Sequence, residues 1–188
     1  MNTTNLFVEL VVIGISAAFW VLLLVFTVFG YGWLSIEELF TWPALVPGLA
    51  VVYALGIVVD RFADNFFERR ALPLSARWFK SEEEYQHARM FIYTRSDALR
   101  DLFEYGRSRI RICRGWAFNS FMSAIALNLF VWVQMPADDV RWKLSVFGSF
   151  FFLLFGVAAW RAWLRLVSNE YKRLHEQYIH LSNPKKKR

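Results

Sequence analysis

The chain is poor in the residue types on which most enzymatic and disulfide-built proteins depend: 188 residues hold one cysteine, three histidines and five prolines. Cys113 has no partner within the chain, so no disulfide framework exists, and cysteine usage leaves the redox compartment open. The run from His175 to His180 is one residue too long for the His-Glu-x-x-His zinc site, whose imidazoles need i and i+4 spacing on one helical face. No arginine stands five positions before a histidine, which removes a common helical ribonuclease signature, and His87 reads as an exposed helix residue. A Gly-rich phosphate loop is also missing. No catalytic residue, metal or cofactor is therefore assigned, and an enzyme is not expected. Residues 1–6 lack Lys and Arg and precede a long apolar run, so the first hydrophobic segment reads as a retained helix and not a cleaved signal. The sequon Asn2-Thr3-Thr4 falls on the side assigned below to the cytoplasm and is taken as chance.

What the chain has in abundance is apolar and aromatic side chains, 56% and 19% of its residues. This exceeds the usual share for a soluble core of this size and points to a bilayer. Stretches 10–34, 39–59, 115–137 and 144–160 approach or exceed the roughly 20 apolar residues needed to cross a hydrocarbon core about 30 Å thick. Lys and Arg are unevenly placed, with 12 between Asp60 and Arg114 and 8 from Arg161 onward. Segment 35–41 carries Glu37 and Glu38 and no base, and 136–143 has only Arg141 and Lys143. By the positive-inside rule both termini and the middle segment are expected in the cytoplasm, in a multi-pass inner-membrane arrangement. The predicted fold is an all-α membrane protein of four transmembrane helices, the third and fourth extended into a cytoplasmic helical stalk. Its parts are 1–59 (transmembrane helices 1 and 2), 60–114 (cytoplasmic helical segment), 115–160 (transmembrane helices 3 and 4) and 161–188 (cytoplasmic helix and basic tail).

The first span carries Glu9 and the small residues Gly14, Ala17 and Ala18, suited to close helix approach. Trp33 and Trp42 bracket the first external turn; Pro43 is placed at the start of the second helix, Pro47 predicts a kink, and Ala50 and Ala54 a contact face. The second helix should overshoot the membrane until Pro73 stops it, with Asp60, Asp64 and Glu68 on one face by their spacing of four. Arg107, Arg111 and Arg114 also share a face, directly before the apolar run at Gly115. Acid and base are expected to pair across the two helices, in preference to holding a metal. Trp78 and Phe79 are expected to rest on the headgroups. Ser81 with Glu84 three residues later forms a capping box, and the absence of proline before Pro136 predicts one helix running into the third span. Trp160 and Trp163 mark the inner edge of the fourth span. Beyond it Leu164, Val167, Tyr171, Leu174, Tyr178 and Leu181 form a seam spaced by threes and fours, ending before Asn183-Pro184. It is expected to bury against a stripe of Tyr85, Ala88, Ile92, Leu99 and Leu102, within one chain or between chains.

The third span carries Asn119, Ser120, Ser123, Ala124 and Asn128, read as helix contacts first and as a polar pore lining second. Arg89, Arg95, Arg100 and Arg109 are candidates for an anionic ligand such as a nucleotide; topogenesis accounts for most of the basic signal at 107–114 but less readily for Arg89, Arg95 and Arg100, whose field is weakened by Asp97, Asp101 and Glu104. The tail 185–188 reads as a solvated basic segment touching anionic lipid. In size, four spans, helical stalk and the pattern Gly56-Ile57-Val58-Val59-Asp60-Arg61 at a span's exit, the chain resembles the small multi-span bacterial membrane effectors of anti-phage defence systems. That resemblance implies assembly into oligomers that make the inner membrane leaky when a cytoplasmic signal arrives. The functional expectation is a homo-oligomeric channel or pore gated through its basic cytoplasmic helices. The alternative is a non-conducting membrane anchor or assembly subunit that recruits a cytoplasmic protein partner.

Overall fold

The computed structural model describes residues 3–33 and 42–182. Glu37, Glu38, Asn183, Pro184 and the tail 185–188, on which several expectations rest, lie outside them, as do the side chains of Trp42 and Pro43. The protein is all-α: α1 (Thr3–Phe29), α2 (Trp42–Ser75), α3 (Glu82–Arg95), α4 (Asp97–Gln134) and α5 (Asp139–Ser182), with no strand among the described residues. All but α3 are long and apolar enough to cross a membrane. The 38 residues of α4 and 44 of α5 correspond to rods of about 57 and 66 Å, roughly twice a hydrocarbon core. Each is therefore part span and part stalk.

Local chemistry sets the helix ends. α1 stops where Gly30 takes φ +72°, its N–H donating to the Phe26 carbonyl at 3.0 Å. α2 runs two residues past Pro73, to Ser75, since the bond that proline removes is only one of several in a last turn. Ser81 Oγ accepts from Glu84 N–H at 3.2 Å, while the Glu84 carboxylate accepts from Lys80 N–H at 2.7 Å. The unbroken helix expected from Ser81 onward does not form. Ser96 is extended (φ −153°, ψ 114°), closes α3 and caps α4 by accepting from Leu99 N–H at 3.3 Å. A serine followed by Asp97 satisfies an N-terminus as well as a helix interior, and here the cap wins.

Leu99 keeps its place on the expected stripe beyond this break, and the next core position falls four residues later. Phe103 is buried with Ala88, Ile92, Phe79 and Leu174, whereas Leu102 is 51% exposed. The α5 seam packs within the chain: Leu174 is buried in this stalk core, flanked by Tyr171, Tyr178 and Leu181, and Val167 and Leu164 belong to the next cluster toward the spans. There Phe67 meets Trp163 edge-on at 4.8 Å between centroids, beside Ala117. Trp163, at the end of the fourth span, is buried in this cluster, and Phe79, expected to rest on the headgroups, is likewise buried.

Among the spans, α1 and α2 cross backbone to backbone. A Cβ on Gly14 would collide with the Val52 carbonyl, and one on Gly56 with the Leu10 carbonyl. Val59, Ile13 and Ala17 bury beside this crossing. Ala50 and Ala54, expected to be the contact face, are exposed, because Gly56 turns the opposite side of α2 toward α1. Gly14→Val should therefore destabilise the protein in detergent by about 1–3 kcal/mol, and Ala54→Val should leave the melting curve nearly unchanged; equal melts would contradict the crossing.

Candidate functional site: a charged junction between spans and stalk

Where α4 leaves its apolar half, successive arginines tie it to every other long helix. Arg111 donates to the Glu9 carboxylate of α1 at 2.6 Å and approaches Asp60 at 3.7 Å. Arg114 donates to Asp60 at 2.7 Å and also to Asp64. The expected pairing of Asp60 and Asp64 with Arg111 and Arg114 is thus the geometry observed. Arg107 turns instead to Glu170 of α5, at 3.7 Å, since its position a full turn before Arg111 places it beside the stalk. The Glu9 partnership was readable in principle, because a lone carboxylate beside an apolar run demands a cation.

Glu9 is 4% exposed, and the side chains of Arg114 and Asp60 are 13% and 15% exposed. Removing one member of so buried a group strands its partners. Arg114→Gln should cost about 3–5 kcal/mol, less any relief from water entry. Thermal unfolding of R114Q against a D60N/R114Q pair checks this, the double variant recovering part of the loss.

Glu170 lies deeper in the stalk. Burial raises its carboxyl above the ordinary 4.5, opposed by Arg107 and Arg89, and burial pushes the neighbouring Tyr171 hydroxyl up to about 12, aided by Tyr85 and Glu170. A carboxyl whose folded pKa is raised binds more protons folded than unfolded, so its contribution to stability falls as pH rises from 4.5 through the raised value. Glu170→Gln should flatten that segment of the melting-temperature profile; an unchanged profile would place the titration elsewhere.

The polar side chains of the third span face inward. Asn119 donates to the Ile13 carbonyl at 3.0 Å and to Ser16 at 2.6 Å, and accepts from Trp20 at 3.0 Å, pinning α4 to α1. Asn128 donates to Ser149 at 2.6 Å and accepts from Ser145, pinning α4 to α5. Ser120 donates to the Trp116 carbonyl of its own helix, and Ser123 and Ala124 are buried.

Arg89, Arg95, Arg100 and Arg109 do not converge. Arg89 lies over Tyr93, Arg95 over Phe91 and Arg109 over Tyr105, each a local cation–π contact, while Arg100 pairs with Asp97 at 3.2 Å. The helical register that spaces them also gives each its own nearby partner. Among the described residues no cluster of His, Cys, Asp or Glu is arranged to hold a metal ion.

No family model, curated protein or solved structure matches the chain. Beside the junction lies a cavity of about 730 Å³. Asp60, Asp64, Arg107, Arg111, Arg114 and Glu170 all reach that cavity, along with Tyr53, Ile57 and Trp163.

Proposed function

We propose that the protein is a multi-pass inner-membrane subunit that holds a helical stalk at the cytoplasmic face, where it anchors or assembles a soluble partner. The inward use of Asn119, Ser120, Ser123 and Asn128 carries this reading: polar groups that a third-span pore lining would need are engaged in contacts within one chain. The exposed faces of the spans, including Phe147, Phe150 and Leu154, are apolar and suit lipid better than an aqueous path. The basic stretch at 107–114 beside the apolar run supports the cytoplasmic placement of the stalk. The scattering of Arg89, Arg95, Arg100 and Arg109 favours a protein partner over a nucleotide.

A second reading, the homo-oligomeric channel of an anti-phage effector, draws support from one observation. Ala50 and Ala54 form an exposed small-residue face on α2 that would admit a second copy closely. In that assembly α2, and not the third span, lies nearest the axis. Liposomes loaded with an ion-sensitive dye separate the two readings. The anchor predicts no release by the purified protein at any protein-to-lipid ratio. Release that is abolished by Ala54→Phe would establish the channel instead.

A further inference from the structure

The cavity beside the junction differs from an anion site in its charge. Arg61, Arg107, Arg111 and Arg114 face Asp60, Asp64, Glu68 and Glu170, four bases against four acids. A polyphosphate would meet as much repulsion as attraction there. The lining is also divided along the helices. Leu6 and Leu10 near the start of α1 and Tyr53 and Ile57 midway along α2 form an apolar wall, and on α2 the charged groups begin at Asp60, about one turn further on. Such a boundary suits an amphiphile whose head carries both signs.

Two groups inside it are incompletely engaged. Arg114 Nε is buried without a hydrogen-bond acceptor, although both terminal nitrogens of the same guanidinium are paired. Glu170, 14% exposed, has Arg107 at 3.7 Å, outside good hydrogen-bond range, with Arg89 as its second nearby cation. An oxyanion near Arg114 and a primary ammonium near Glu170 would complete both.

We propose that this cavity binds a phospholipid with a zwitterionic phosphate–primary-ammonium headgroup, its phosphate held at Arg114 and Arg107, its ammonium at Glu170, and its acyl chains against Ile57 and Leu10. The site rests on the membrane embedding alone and holds whether the stalk recruits or gates. A quaternary ammonium has no N–H to give Glu170, and a glycerol headgroup has no cation, so the site distinguishes lipids of equal chain length.

The test uses the full chain, purified and delipidated in detergent, titrated by native mass spectrometry with phosphatidylethanolamine, phosphatidylcholine and phosphatidylglycerol of identical acyl chains. Phosphatidylethanolamine should bind roughly tenfold tighter than either of the others, the worth of one charge-assisted hydrogen bond. Glu170→Gln should erase the preference over phosphatidylcholine. Ile57→Trp, which fills the apolar wall at a half-exposed position, should weaken the preferred lipid most. Equal affinity for phosphatidylethanolamine and phosphatidylcholine, or tighter binding of phosphatidylglycerol, overturns the proposal. Soluble phosphoethanolamine should not compete at millimolar concentration; full competition would overturn the lipid and leave a soluble phosphate monoester as the ligand.

Discussion

The arrangement of three of the four spans depends on the guanidinium groups of Arg111 and Arg114, which join α4 to α1 and α2. An ion pair withdrawn from water recovers its desolvation cost only when its geometry is nearly complete. Two arginines one turn apart on α4 must therefore meet Glu9, Asp60 and Asp64 together. That requirement fixes the rotation of α1 and α2 about their own axes as well as their depth beside α4. Gly56, Asp60 and Asp64 stand on one stripe of α2, so the rotation that satisfies the charges also brings Gly56 against Leu10 and Gly14. Charge pairing and backbone approach reinforce one another along a single helix face.

Two kinds of cohesion meet at this level. Among the spans there is little hydrophobic drive between helices, because lipid is as apolar as leucine. Close backbones and hydrogen bonds such as those of Asn119 and Asn128, each worth about 0.6–2 kcal/mol, hold the helices together. In the stalk, water supplies the drive, and the core is correspondingly large and aromatic: Phe79, Phe103, Tyr85 and Tyr171 around Ile92 and Leu174. The junction belongs to both regimes. Glu9 faces the spans, and Glu170 faces the stalk.

Features governed by spacing along one helix were legible in the sequence. Asp60 with Asp64, Arg111 with Arg114, and the Val167–Tyr171–Leu174 seam all follow from a period of 3.6, and the structure places each on one face. The four spans were legible for the same reason that lipid is a strict solvent. What escaped was decided by a choice between nearly equal local states or by a distant partner. Ser96 was compatible with helix interior and with cap; Leu102 and Phe103, three and four residues after Leu99, both continue the stripe, and the core takes Phe103. Arg89, Arg95, Arg100 and Arg109 looked like a field, but adjacent rings and carboxylates took each one singly. Trp163 marks the inner edge of the fourth span, but its cover by Phe67, nearly a hundred residues earlier, was not visible in local spacing. The Gly14–Gly56 crossing needed knowledge of which side of α2 would turn inward, which composition does not contain.

The continuity of α5 has a mechanical meaning. It crosses from the span level to the stalk tip without a break or a proline. From Trp163 to Ser182 the rod extends about 29 Å, so a tilt of about 5° around Trp163 displaces the tip by about 2.5 Å. α3 has no such reach, because Ser96 separates it from α4, and it packs on α5 through edge-to-face rings such as Tyr85 on Tyr171 and Phe91 on Tyr178. α5 is thus the unbroken link from the spans to the stalk tip, with Ala88 and Ile92 of α3 buried against it, and it passes beside the charges that join the spans.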